Sequence, residues 1–565
     1  MAILCCLGTT GLTAADYYVR PGGDDAASGT ATTTAWRTIE RVNRARLQPG
    51  DRVLFEAQQT FTGNLLLDSG DAGMPDKPVI IGSFGEGRAT IQAGLGYGVL
   101  VRNAGGIEVR DLICIGADCK RNCGAGVAFV NTMVGNTRLK YVRIHNVEAS
   151  GFGRELAKPG TYPEGYQHPQ GAGILVAGNA DDHSKSGFQD VEITNCTCYD
   201  NAYYGILITG YWDNHPTRYA NANVHIANCR VYANPGDPLY HENHSGSGIL
   251  VEDCDGGLVE RCIAYDNGAL CNDAPGGPSG IWTAVANRVI IQGCESFNNR
   301  TGSAPDGVGF DLDGGCTECV LQYNYSHDND GAGFLVFTYA GAPHTDRGNI
   351  VRFNISENDA RKLGDYGGIW VRNAGKGMTG LRIYNNTIIA GSWARHAIGV
   401  LGEGVEGKFW NNLLVSSGKA VPLWVEKPQD KLRFENNLYW REEGSFKIVW
   451  DDKTYESLER WRNDTGQETR DGKVLGVFAD PLLTGHSATV QPRQIVGISK
   501  LQAFRPRAGS PTRNAGLNLS TQDRPQNGFR NFFDAPLPKD GAWPLGAVST
   551  AKTAGSPSSQ GGFAQ

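Results

Sequence analysis

The chain has 565 residues, more than a single compact core of ~250–300 residues accommodates, so it is either several domains or a solenoid whose core grows along one axis. Glycine is abundant at 76 residues and methionine scarce at 4, and short Val/Ile/Leu runs are separated by Asn, Asp and Gly, a pattern of many short strands that excludes a mainly helical protein. A net charge of −7 and a pI near 5.9 leave no basic surface for nucleic acid.

Residues 1–15, from Met1-Ala-Ile-Leu to Thr13-Ala-Ala15, form an apolar stretch ending in small residues before Asp16. They read as the rear of an export signal that lacks its positive n-region, and the protein is expected to be secreted or periplasmic. No other apolar run reaches the ~18 residues of a membrane span. Tyr17-Tyr-Val-Arg, then Ala35-Trp-Arg-Thr-Ile-Glu40, then Asp51-Arg-Val-Leu-Phe55 predict a strand, a short capping helix and a first coil. Fourteen cysteines raise the question of disulfides. Cys114, Cys119 and Cys123 are expected to share one loop, and Cys316 lies close to Cys319, so bridges are open in both places, whereas no spacing reads as a zinc site.

From about residue 190 a phrase recurs. Val191-Glu-Ile-Thr-Asn-Cys196 is followed by Val224-His-Ile-Ala-Asn-Cys229, by Cys262 and by Cys294, and the position then becomes Asn324, Asn354, Asn386, Asn412 and Asn437. Successive anchors lie 25 to 33 residues apart, a period that marks stacked coils. Each coil turns its Val, Ile and Leu inward and adds parallel strands to the next at ~4.8 Å. The Cys and Asn columns are therefore structural, the thiols as small apolar wedges and the amides as hydrogen-bonding ladders. A second strand opens at Gly205, Gly248, Gly280, Gly309, Gly333 and Gly368, each 9 to 19 positions after its anchor. The variation gathers at one corner, so loops of unequal length flank one sheet, the usual place for function on a rigid scaffold.

Residues 16–440 are thus expected to form the solenoid with its N-terminal cap. Residues 441–548 would be an irregular extension packing on its end, with a short helix near Tyr455–Trp461 and a Pro-rich stretch around the far end. Residues 549–565, rich in Ser, Gly and Ala, would be a disordered tail. The phrases Gly29-Thr30…Ala35-Trp36-Arg-Thr-Ile39, Pro49-Gly-Asp51-Arg-Val, Pro78-Val-Ile-Ile-Gly-Ser-Phe-Gly85, Gly309-Phe-Asp-Leu-Asp-Gly-Gly315 and Arg507-Ala-Gly-Ser-Pro511 resemble bacterial proteins of the pectate-lyase-like superfamily. The resemblance implies an all-β, right-handed parallel β-helix solenoid and a carbohydrate-active protein. The reaction stays open, because the superfamily includes glycoside hydrolases, lyases and epimerases.

Period-two alternation sorts the second strands into outward columns. One holds Leu207, Leu250, Trp282, Asp311, Leu335 and Trp370; its neighbour holds Thr209, Glu252, Ala284, Asp313, Phe337 and Arg372. Asp311 and Asp313 would lie roughly 6.5–7 Å apart at Cα, near the separation of about 6.5–9.5 Å that inverting glycosidases use for acid and base. Glu252 is the alternative acid, Arg372 a clamp for a sugar carboxylate or hydroxyl, and Trp282 and Trp370 are either stacking surfaces or side chains covered by the corner loops. His241, His244, Asp306 and Asp365 would rim the same groove as loop residues. His327 aligns with Tyr199, Tyr232, Tyr265 and Phe297 and is expected to stack rather than to transfer protons.

Three functions follow. The first is a glycoside hydrolase using Asp311, Asp313 and Glu252 on a poly- or oligosaccharide. The second is a lyase or uronate epimerase in which the carboxylates bind calcium. The third is a glycan-binding solenoid without turnover. A monomer is expected.

Overall fold

The computed structural model describes residues 14–118, 124–153, 171–180, 182–213, 218–428, 430–485, 501–522 and 528–548. The proposed export signal for the most part, the C-terminal tail, Cys119 and Cys123 lie outside them.

Parallel strands stack along one axis into three ladders, two of which join into a 27-stranded sheet while the third forms a 14-stranded sheet. The chain visits the ladders in turn, so every coil repeats the last one's register: Val191 pairs with Val224, Val224 with Gly257, and Gly257 with Val289. Two coils are nearly continuous over a pair of ladders, in the 14-residue strands Ser247–Glu260 and Ser279–Gln292. The interior is one apolar cluster running from Val19 to Trp461.

The corner before each Cys or Asn anchor has a common cause. The preceding residue takes a left-handed conformation at Asn195, Asn228, Arg261, Tyr323, Phe353, Asn385, Asn411 and Asn436, with φ between 52° and 62°. Asn tolerates this conformation at little cost, which accounts for the Asn-Cys and Asn-Asn pairs in the repeat. Tyr323 and Phe353 do not suit it, but their rings stack at 5.7 Å, and Phe353 also packs on Trp543 at 6.1 Å. Inside the corner the thiol column gives way to an amide ladder. Cys294 N–H donates to Asn324 Oδ1 at 3.0 Å, and Asn324, Asn354, Asn386 and Asn412 each donate Nδ2–H to the next asparagine at 3.0–3.2 Å. Asn437 donates to Glu468 at 2.9 Å. A second ladder stands at the neighbouring corner, from Asn201 through Asn234, Asn267, Asn299 and Asn329 to Asp359. Burial raises both terminal carboxyls to about 7 in spite of the amides that donate to them.

Among the described residues the thiols are unbridged. Cys114 is not in a loop but in the strand Leu112–Gly116, pointing into the core, and Cys316 and Cys319 are likewise free and buried. Stacking inward satisfies these thiols as apolar filler and leaves nothing for a bridge to staple. The aromatic column forms as expected: Tyr199, Tyr232, Tyr265, Phe297 and His327 stack at 4.8–5.1 Å. Burial of His327 opposes its charge, yet Asp328 and Glu295, at 2.9 and 3.3 Å from its ring nitrogens, raise it to about 9.

At the N-terminal end the strand Asp16–Val19 pairs with Arg52–Glu56. The helix Ile39–Asn43, capped by the Thr38 hydroxyl at 3.1 Å, covers the first coil with Ile39 and Val42. The far end is closed by the helix Leu458–Thr465, whose Trp461 inserts against Phe434, Tyr439 and Trp450. The later Pro-rich stretch lies along the flank rather than around that end. Phe504, Phe532 and Leu545 pack on Tyr325, Ile355 and Leu413, and Trp543 packs beside Tyr384 and Trp410. The corner Tyr and Phe residues supply the apolar surface that draws it there.

Candidate active site

The two outward columns form as the alternation requires. Trp282 pairs with Asp311, Asp311 with Leu335 and Leu335 with Trp370; one position on, Glu252 pairs with Ala284 and Phe337 with Arg372. Asp313 lies just past the strand Val308–Leu312, and its N–H still donates to Thr283 O at 2.9 Å, which keeps it in register. Above these columns the corner loops enclose a cavity of about 480 Å³. Asp306, Asp311, Asp313, Glu252, Arg372, Trp282, Trp370 and His244 all line it.

Two of the expected rim residues fall elsewhere. His241 is exposed, with Nδ1 3.0 Å from Asn272 O, and lies outside the cavity that His244 of the same loop reaches. Asp365 turns toward the next coil and pairs with Arg395 at 3.4 Å. The tryptophans also differ from open stacking platforms, being only 3% and 4% exposed. Trp282 meets the His244 ring edge-on at 4.8 Å, and Trp370 packs against Tyr366 at 4.1 Å. Their Nε1 atoms are nevertheless buried without a hydrogen-bond partner, as is Asp311 Oδ1 between them. Buried polar groups are normally paired, so three such atoms in one column on one cavity wall mark positions where a hydroxylated ligand would complete the bonding.

The carboxylates are not equivalent. Asp306 accepts from the Gly277 N–H at 2.7 Å on one oxygen and from the Tyr366 hydroxyl at 2.9 Å on the other. Burial raises it, and these donors together with the Arg372 charge oppose the rise. Burial also pushes Asp313 up, to about 7; the Gly314 N–H, donated at 2.6 Å, partly offsets this, while the charges of Asp306 and Glu252 add to it. Asp311 is driven well above the usual range by burial and then by the neighbouring acids, Asp313 foremost. Glu252 accepts from the Thr209 hydroxyl at 2.6 Å. The cavity thus sets Asp306, which stays raised although two donors hold it, beside Asp313, which keeps its proton near neutrality, and unequal neighbouring acids are the material from which acid–base pairs are built.

Sequence reasoning missed Tyr366, which holds Asp306, and Tyr339 and Trp212, which complete the walls. All three lie in corner loops or at strand ends, where the period of two does not reach. The ion pair of Lys185 with Asp253, 2.7 Å and buried beneath the Glu252 coil, was also unmarked. Among the described residues no group of three or more His, Cys, Asp or Glu side chains is arranged to hold a metal ion.

A family model described as the right-handed β-helix region matches residues 87–388, more than half of the chain. The chain belongs to the right-handed β-helix family. A lacto-N-biosidase from Bifidobacterium longum subsp. longum is 23% identical to this β-helix over 508 residues, covering 76% of this chain and 31% of the relative. The chain therefore spans about a third of the length of the curated relative it matches. The crystal structure of a GH136 lacto-N-biosidase from Eubacterium ramulus superposes with a TM-score of 0.51 at 19% identity, covering 72% of this chain and 68% of that one. That likeness establishes the shared fold. No helix among the described residues is long and apolar enough to cross a membrane.

Proposed function

We propose that this β-helix is a glycoside hydrolase of the lacto-N-biosidase kind, with Asp313 as proton donor and Asp306 as its ionised partner. One observation carries the reading: Asp313, held at about 7, shares a cavity with an Asp306 whose two oxygens are both occupied by donors. In this scheme Asp313 passes its proton to the glycosidic oxygen as the bond to the sugar breaks. The Asp306 carboxylate activates a water, or itself adds, at the sugar carbon. Asp311, kept neutral by its surroundings, and the Trp282 and Trp370 N–H groups bind sugar hydroxyls instead of taking part in proton transfer. Asp306 thereby moves from the substrate contact expected of it to a reacting group, and Asp311 moves the other way. The similarity to lacto-N-biosidases supports a terminal disaccharide as the unit removed.

The test is release of 4-nitrophenol from its lacto-N-bioside by the wild type, Asp313→Asn, Asp306→Asn and Asp311→Asn, with folding checked by circular dichroism. Loss of at least ~10³-fold in kcat/KM is expected for the first two variants, a size typical of general acid–base groups. Because the protonated form of Asp313 is the active one, wild-type kcat/KM should fall as pH rises through about 7. Undiminished turnover in Asp313→Asn rejects the assignment. An ultraviolet-absorbing unsaturated product from a uronate polymer would instead select a lyase.

A further inference from the structure

The outward column does not stop at the cavity. Trp370 pairs with Gly399 and Gly399 with Trp424, so Trp424 stands two coils beyond Trp370, ~9.6 Å along the axis. There the sheet face opens into a second cavity of about 480 Å³. Its walls carry Trp424, Arg395, Lys419 and Lys447 against Asp365 and Asp452. The three cations sit at the entry of three successive strands, Arg395 directly before His396–Leu401, Lys419 just before Val421–Val425 and Lys447 directly before Ile448–Trp450. This is the corner that supplies the rim of the candidate active site in earlier coils.

The charges are not used up internally. Arg395 is paired with Asp365 at 3.4 Å and packs over the Trp424 ring at 4.3 Å, fixing that indole as a wall of the pocket. Neither Lys419 nor Lys447 has a hydrogen bond or ion pair among the described residues, while the remaining acid, Asp452, is exposed. Beside the pocket Trp393 is 53% exposed. A Cβ built on Gly364 would lie 3.3 Å from the Trp393 carbonyl and 3.6 Å from Lys419 Nζ, so the exposed indole belongs to the turn that bounds the lysine wall. Aromatic surface and unpaired ammonium groups around one cavity suit a ring that presents a carboxylate.

We propose that this pocket is a second saccharide subsite, selective for a sugar residue bearing a carboxylate, on a chain that continues along the sheet face from the first cavity. That the ligand is a saccharide rests on the glycoside hydrolase reading; the preference for negative charge rests on the pocket alone.

The experiment is calorimetric titration of the full chain with two matched pairs, tetragalacturonate against galactotetraose and 3′-sialyllactose against lactose, which separate uronic from sialic acid as the source of the carboxylate. The carboxylated member of at least one pair should bind about tenfold or more tightly than its neutral counterpart and should weaken with added salt. Lys419→Gln with Lys447→Gln should abolish the preference, and Trp424→Ala should weaken both members. Asp313→Asn should leave binding intact, so that failure of the hydrolase reading shows in turnover and failure of this one in binding. No preference in either pair, or a preference that survives the double lysine substitution, overturns the proposal; if Trp424→Ala does not fold, the lysine variant decides.

Discussion

Replacing Asn386 by alanine tests whether the amide ladder or apolar filling holds the C-terminal coils together. Asn386 is fully buried. Its Nδ2 donates to Asn412 Oδ1, Val351 O and Tyr384 O at 3.0, 2.9 and 3.2 Å, and its Oδ1 accepts from the N–H and Nδ2–H of Asn354 at 3.0 and 3.1 Å. Each such bond contributes ~0.5–1.5 kcal/mol net, and the groups orphaned by its loss cost more when they stay dry. Some water will enter the space, so the expected loss is ~3–5 kcal/mol. Cys262 occupies the same position in the thiol half, where its Sγ accepts weakly from Cys229 N–H at 3.5 Å; Cys262→Ala should cost only ~1–2 kcal/mol. A solenoid opens locally, coil by coil, so hydrogen exchange read by mass spectrometry is the suitable assay. Asn386→Ala should speed exchange over residues 351–437 by more than about a hundredfold, and Cys262→Ala should speed exchange around its own coil by about thirtyfold or less. Equal effects would refute the claim that amide bonding, not volume, carries this part of the stack.

His327 makes a pH prediction. Its folded value of about 9 against an ordinary 6.5 corresponds to ~3 kcal/mol of stabilisation. Because the folded value is the higher one, that contribution is complete below pH 6.5 and is lost as pH rises through about 9. The guanidinium midpoint should fall between pH 7 and 10 more steeply in the wild type than in His327→Gln, and parallel profiles would reject the pairing with Glu295 and Asp328. For the buried Lys185–Asp253 pair, Asp253→Asn leaves an ammonium without its counter-charge and should cost ~3–5 kcal/mol. Lys185→Met with Asp253→Leu should recover most of that midpoint, and a single variant as stable as the double one would show that the pair contributes nothing.

How much was legible in the sequence depended on what repeats. The Cys and Asn anchors, spaced by 25 to 33 residues, betray the coils because one bend recurs in each of them. The alternation along Gly309-Phe-Asp-Leu-Asp313 then places Asp311 and Asp313 outward without further information. Loops carry no period, so nothing in the order of residues showed that His241 lies outside the cavity, that Asp365 faces the next coil or that Tyr366 reaches back to hold Asp306. The same limit applies to the tryptophans. Their column was readable, but the rings of His244 and Tyr366 that cover them are delivered by corners of unequal length.

The two asparagine ladders share a grammar. An amide takes a proton bond on one side and gives one on the other, so every asparagine both finishes the sentence before it and begins the next. Glu468 and Asp359 accept from the last asparagine in each series and have no amide with which to continue it. They act as full stops. The coils run on past Asp359, whereas Glu468 lies just after the helix Leu458–Thr465 that covers the last coil, so an acid closes a ladder without closing the stack, and the two series end at different turns of one spiral.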